Sequence, residues 1–107
     1  MVAGPWAGTL LADLGADVVK VEQPRGGDRM RLLGHRVGSI GALWANVNRG
    51  KRGVVFDLQQ ADGVGLLRDL VARADVFIQN FRPGVAQRLG IDEAALSWRD
   101  VLAAFAV

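Results

Sequence analysis

The 107 residues carry 13 Lys and Arg against 11 Asp and Glu, a net charge of +2, with 50% of them apolar and no cysteine. That length makes one domain at most, its apolar content excludes a disordered chain, and the lack of cysteine and the single histidine, His35, exclude disulfides, thiolate ligands and a histidine-rich metal site. No apolar run approaches the ~20 residues of a membrane helix and the N-terminus carries no signal-peptide pattern, so a cytoplasmic protein with no membrane partner and no metal is expected.

Pro5 suits the first turn of a helix, where its missing N–H costs nothing. Leu10, Leu11 and Leu14 supply an apolar face, and Gly15 marks the stop. Asp17–Glu22 is β-branched and predicts a strand. Gln23 to Asn48 is Gly-rich and irregular, with a short helix expected over Ile40–Ala45. A second strand is expected over Gly53–Leu58. Leu67, Leu70, Val71 and Ala74 recur at helical spacing within Ala61–Arg73, with Asp62 early and Arg73 late to complement the helix dipole. Asp75–Gln79 predicts a third strand, and Gly84–Leu89 a short helix closed by Gly90. Asp92 is placed to cap another helix running toward Trp98. Val101–Val107 reads as either a strand or a helix, because so short an apolar run fits both periods.

Strand and helix alternate, which implies α/β architecture: a Rossmann-like parallel sheet flanked by helices. Ligands of such sheets sit outside the carboxyl ends of the strands. That singles out the loops after Glu22 and Leu58 and the turn Asn80-Phe81-Arg82-Pro83-Gly84.

From Gln23 to Arg52 the basic residues Arg25, Arg29, Arg31, Arg36, Arg49, Lys51 and Arg52 face only Asp28. A stretch of this kind attracts anions. Nucleic acid is not the expected partner, since no helix-turn-helix, zinc-finger or RNP signature accompanies the charge. A phosphorylated small molecule fits, as does a plain solvated loop. Asn48, Lys51 and Arg52 stand at the start of a strand, where Lys is a point charge and Arg a planar fork for phosphate. Asn80 can bond backbone or a ligand amide, Phe81 can cover an apolar ligand face, and Arg82 can pair with phosphate. Arg88 lies one helical turn further on. Gln23-Pro24-Arg25-Gly26-Gly27-Asp28 is rich in glycine but has neither the Walker nor the G-x-G-x-x-G spacing. No catalytic residue emerges. Ser39 and Ser97 lack a histidine relay, and Asp13, Asp17 and Glu22 read as capping and strand-end residues rather than an acid–base pair.

Ala3-Gly4-Pro5-Trp6, Leu11 through Glu22, Asn48-Arg49-Gly50-Lys51-Arg52 and Asn80-Phe81-Arg82-Pro83-Gly84 together, in this order and spacing, resemble the N-terminal part of the class III CoA-transferases. That family includes the formyl-CoA and carnitine CoA-transferases. The resemblance runs from Val2 to about Ile91 and implies that residues 1–107 are the CoA-binding N-terminal portion of a larger domain, a partial domain lacking its first strand and its C-terminal part. It implies coenzyme A as the bound substrate, held by Ala3, Asn48, Lys51, Asn80, Phe81, Arg82 and Arg88. Gln23 and Pro24 stand where some members place a CoA-contacting arginine, which leaves Arg25 as the substitute. Gln79 stands where the family often has Glu. The implied reaction moves CoA between an acyl-CoA and a carboxylic acid through an aspartyl-CoA intermediate, and the nucleophilic aspartate matches no residue of this chain. The family's subunits interlock as homodimers. Two other readings remain: a fragment of an α-methylacyl-CoA racemase, although the long loop from Glu22 to Asn48 resembles the transferases more, and a non-catalytic CoA- or nucleotide-binding module or truncated relic.

Overall fold

The computed structural model describes residues 2–96 and divides into two units, Met1–Val55 and Phe56–Val107.

In the first unit, α1 spans Ala3–Asp13. Gly15, at φ 100°, makes the left-handed turn that ends it, and the amide of Ala16 returns to the carbonyl of Leu11. The helix does not bury the leucine face that its sequence suggests. Leu10, Leu11 and Leu14 are exposed, and the buried positions are Gly4, Gly8 and Thr9. Small residues one turn apart let α1 approach its neighbour closely, and that close contact takes precedence over the apolar stripe.

Strand β1 (Val19–Glu22) pairs in parallel with β4 (Arg52–Val55), in the register Val19↔Arg52 to Glu22↔Val55. Alternation along β1 puts Lys20 and Glu22 on one face. Between the two strands come a 3-10 turn at Arg29–Leu32, a hairpin of β2 (Arg36–Val37) with β3 (Ile40–Gly41), and α2 at Ala42–Val47. The hairpin was not foreseen, because two-residue strands are too short to display a period. Gly38, at φ 60°, opens its two-residue turn. It also displaces the short helix toward the C-terminus, from the expected Ile40–Ala45 to Ala42–Val47. Met30, Val47 and Thr9 form the buried centre of this unit.

In the second unit, α3 (Ala61–Val71) buries Gly63, Leu67 and Val71 along one side. The shorter α4 (Val85–Leu89) is bracketed by Gly84 and Gly90, both left-handed. Leu67, Val71, Ala86, Ile91 and Leu96 form its buried apolar set. The third strand expected over Asp75–Gln79 does not form: residues 75–80 join no sheet among the described residues. A β-branched run favours extended backbone, but a strand exists only where a ladder partner accepts its hydrogen bonds. Asp92 does cap, its Oδ1 accepting from the Ala95 amide at 3.3 Å, over a turn rather than an assigned helix. Its expected continuation to Trp98 and the segment Val101–Val107 lie outside the described residues.

Candidate functional site

The carboxyl ends of β1 and β4 open into a shallow cleft of about 350 Å³ lined by Glu22, Gln23, Pro24, Gly26, Gly27, Arg31 and Val55. Beside it, a smaller cavity of about 80 Å³ lies among Lys20, Arg31, Trp44, Asn48, Lys51 and Gly53. The loop after the first strand is therefore at a ligand-accessible edge, as the topology of parallel sheets requires.

Asn48 is the junction of the smaller cavity. Its Oδ1 accepts from Lys20 Nζ at 2.9 Å and from Lys51 Nζ at 3.0 Å, and its Nδ2 donates to the Trp44 carbonyl at 2.9 Å. Lys20 is held on its other side by the Asp28 carboxylate at 2.5 Å. Lys51 Nζ also donates to the carbonyls of Pro5 at 2.6 Å and Val47 at 2.9 Å. Ala3 stands at the start of the same helix, two residues before Pro5, so the structure brings the Ala3 turn, Asn48 and Lys51 together within one unit. Burial and the Lys20 ammonium push the Lys51 pKa down to about 8, with Asp28 opposing them. At neutral pH Lys51 still carries its charge.

Around this centre three arginines of the basic stretch are paired with carboxylates. Arg31 makes two hydrogen bonds to Glu22, Nε to Oε2 at 2.8 Å and Nη2 to Oε1 at 2.9 Å, and lies 3.7 Å over the Trp44 ring. Arg49 pairs with Asp13, and Arg52 pairs with Asp17. Asp13, Asp17 and Glu22 are thus ion-pair partners of residues up to 36 positions away, where their positions suggested caps and strand ends. The Arg31 hydrogen bonds hold the Glu22 carboxyl below the usual carboxylate range, helped by the Asp28 amide. For Asp28, burial pulls upward, but the hydrogen bonds from Lys20 and the Met30 amide outweigh it and leave the group below its ordinary value. Arg25 is exposed in the loop that lines the larger cleft.

In the second unit, Asn80, Phe81 and Arg82 follow the extended segment and lead into α4. Gln79 Oε1 accepts from the Phe81 amide at 2.9 Å. Phe81 is 44% exposed, so the ring does not go into a core. Asn80 Nδ2 is buried with no hydrogen-bond partner, the kind of donor that demands an acceptor. Arg82 and Arg88 are exposed.

Sequence reading missed Lys20, Thr9 and Trp44. The signal for Lys20 was present, since Lys20 and Glu22 break an otherwise apolar strand at period two and so must share a face. Thr9 Oγ1, fully buried, lies 2.5 Å from the Val47 carbonyl oxygen and 3.0 Å from that of Pro5, with one hydrogen to donate between them. Nothing in sequence separation marks a contact between residues 9 and 47. Among the described residues no group of three or more His, Cys, Asp and Glu could hold a metal ion, and no helix is long and apolar enough to cross a membrane. Among the described residues the arrangement supplies no nucleophile–base pair.

The chain is 44% identical over 103 residues to the succinate–glutarate CoA-transferase of Agrobacterium fabrum, covering 90% of this chain and 26% of that protein. It is 41% identical over 99 residues to the succinyl-CoA–L-malate CoA-transferase alpha subunit of Chloroflexus aurantiacus, covering 91% and 22%. A solved CAIB/BAIF family protein from Brucella suis superposes with a TM-score of 0.81 at 40% identity, over 95% of this chain and 29% of that one. The chain spans about a quarter of the length of the curated relatives it matches. The model of CoA-transferase family III matches residues 1–100, and the chain belongs to that family.

Proposed function

We propose that residues 1–107 are the CoA-binding N-terminal portion of an enzyme that moves CoA from an acyl-CoA to a carboxylic acid. The observation that carries this reading is the family match over residues 1–100, joined by relatives named for CoA transfer involving succinate, glutarate and malate. Those names favour transfer over the racemase reading. CoA is held by the Ala3 turn and the turn bearing Asn48 and Lys51, with Arg25 in place of the family's arginine, and by Asn80, Phe81, Arg82 and Arg88. Supporting this are the exposed Arg25 in the loop that lines the strand-end cleft, the unpartnered Asn80 amide, and the exposed Phe81 ring and the guanidinium groups of Arg82 and Arg88.

In the covalent step of this reading an aspartate carboxylate attacks the thioester carbonyl and CoA leaves as thiolate, giving an acyl–enzyme anhydride. The thiolate then returns to the aspartyl carbonyl as the first carboxylate departs, and the resulting enzyme–CoA thioester passes CoA to the acceptor acid. No residue of the 107 matches that aspartate, so these residues hold CoA and take no covalent part. The same reading places the protein in the cytoplasm and gives it the family's interlocked homodimer.

The test is calorimetric titration of CoA into the parent and into Arg88→Ala, with Arg73→Ala as control. Loss of one charge-assisted phosphate contact weakens binding by roughly ten- to a hundredfold, and the control binds as the parent does. If Arg88→Ala binds like the parent, the site assignment is wrong. If the parent binds no CoA, the functional reading falls.

A further inference from the structure

Lys51 stands in the basic turn that the reading above assigns to CoA, yet its ammonium faces the protein. An ammonium has three hydrogens to donate. Here they are matched by three protein acceptors, the carbonyls of Pro5 and Val47 and the Oδ1 of Asn48, at 2.6, 2.9 and 3.0 Å. The first two carbonyls are the same pair that the Thr9 hydroxyl addresses. The ammonium thus bridges one carbonyl in the first turn of α1 and one at the end of α2, while the Thr9 hydroxyl, with a single hydrogen, ties α1 to the nearer of them, that of Val47. Gly8 makes room for this: a Cβ added there would stand 3.3 Å from Lys51 Cε and 3.4 Å from Nζ, so the lysine stem lies against the helix. The charge is surrounded by backbone dipoles, and Asp28, the nearby carboxylate, is engaged by Lys20.

We infer that Lys51 is a positioning residue. Its ammonium clasps Pro5 on α1 to Val47 on α2, the Thr9 hydroxyl on α1 donates to the same Val47 carbonyl, and Lys51 serves CoA binding by holding the Ala3–Pro5 turn and the Asn48 turn in place, not by touching a phosphate. The clasp itself is a property of the unliganded fold, and only its consequence for CoA rests on the proposed function. Because three converging bonds need a compact tetrahedral donor, the planar guanidinium of arginine does not replace it. Phosphate contacts, on this view, fall to other cations and to the backbone.

The experiment uses the chain as it stands, with Lys51→Met, Lys51→Arg and Thr9→Val. Peptide-resolved hydrogen exchange of the unliganded proteins is expected to show the α1 amides from Trp6 to Thr9 exchanging about tenfold faster in Lys51→Met and Thr9→Val, the loss read from one net hydrogen bond, while β1 is unchanged. CoA titration at low and high salt is expected to show both variants weakened by a factor that salt leaves unaltered, with no rescue in Lys51→Arg. Thr9 is fully buried and uncharged, so its loss of affinity reports geometry alone. Unchanged α1 exchange in both variants overturns the clasp. So does a Lys51→Met defect that shrinks with salt and is rescued by arginine while Thr9→Val binds normally, because screening acts on a phosphate contact. If Lys51→Met does not fold, Thr9→Val carries both readouts. If the parent binds no CoA, the functional reading fails and the exchange measurement still decides the clasp.

Discussion

Two glycines in α3, two positions apart, respond oppositely to the same substitution. Gly63 is buried against the backbone of residue 57: an added Cβ would fall 2.0 Å from the Asp57 carbonyl oxygen and 2.6 Å from its carbon. Main-chain atoms cannot swing aside as a flexible side chain does, so either α3 or the turn must move by more than an ångström. Overpacking of this kind costs about 1–3 kcal/mol, and the severity of this overlap puts Gly63→Ala at the upper end. The helix regains about 1 kcal/mol from replacing glycine with alanine, which leaves a net loss of about 2 kcal/mol. Gly65 is exposed with nothing within 4 Å of its added Cβ, so Gly65→Ala collects only the helix gain of about 1 kcal/mol. For a chain of this size each kcal/mol moves the melting midpoint by about 4–8 °C. Thermal unfolding followed by circular dichroism should show Gly65→Ala melting above the parent and Gly63→Ala well below it. If both variants shift in the same direction, the close approach of α3 to residue 57 is not real and the reasoning fails.

Other outcomes follow from the charge network and the second core. Glu22, whose folded pKa is depressed, contributes stability that is complete above its unfolded value of about 4.3 and is lost as pH falls through the folded value. Glu22→Gln should lower the midpoint at pH 7, by the loss of charge-assisted bonds to Arg31 worth about 1.5 kcal/mol, and flatten its decline below pH ~4.3. A variant as pH-sensitive as the parent would refute the pairing. The Arg52–Asp17 bridge is about 70% exposed on both sides, so Asp17→Asn should leave the denaturation midpoint unmoved, and a clear drop would mean that the pair is structural. Leu67, 2% exposed on α3, should cost about 2–5 kcal/mol when cut to alanine, read from the urea midpoint. A loss under about 1 kcal/mol would place it outside the core.

Local signals were legible wherever one stretch of chain decides its own conformation. The β-branched runs around Val18-Val19 and Val54-Val55 form a parallel pair, Gly15 and Gly90 end their helices in left-handed turns, and the spacing of Leu67 and Val71 defines the buried side of α3. The spread-out phrases from Ala3-Gly4-Pro5 to Asn80-Phe81-Arg82-Pro83-Gly84 were enough to point to the family. What sequence could not reveal is pairing at a distance. Whether Asp75–Gln79 is a strand depends on a ladder partner. Whether Leu10, Leu11 and Leu14 are covered depends on which face of α1 another element meets, and here the face of Gly4, Gly8 and Thr9 is the buried one. Lys51 read as a solvated or phosphate-facing cation because sequence shows its charge but not its acceptors. Only folding brings the carbonyl of Pro5, 46 positions away, within 2.6 Å of its ammonium, since backbone carbonyls are common to every residue and carry no signature in composition or spacing.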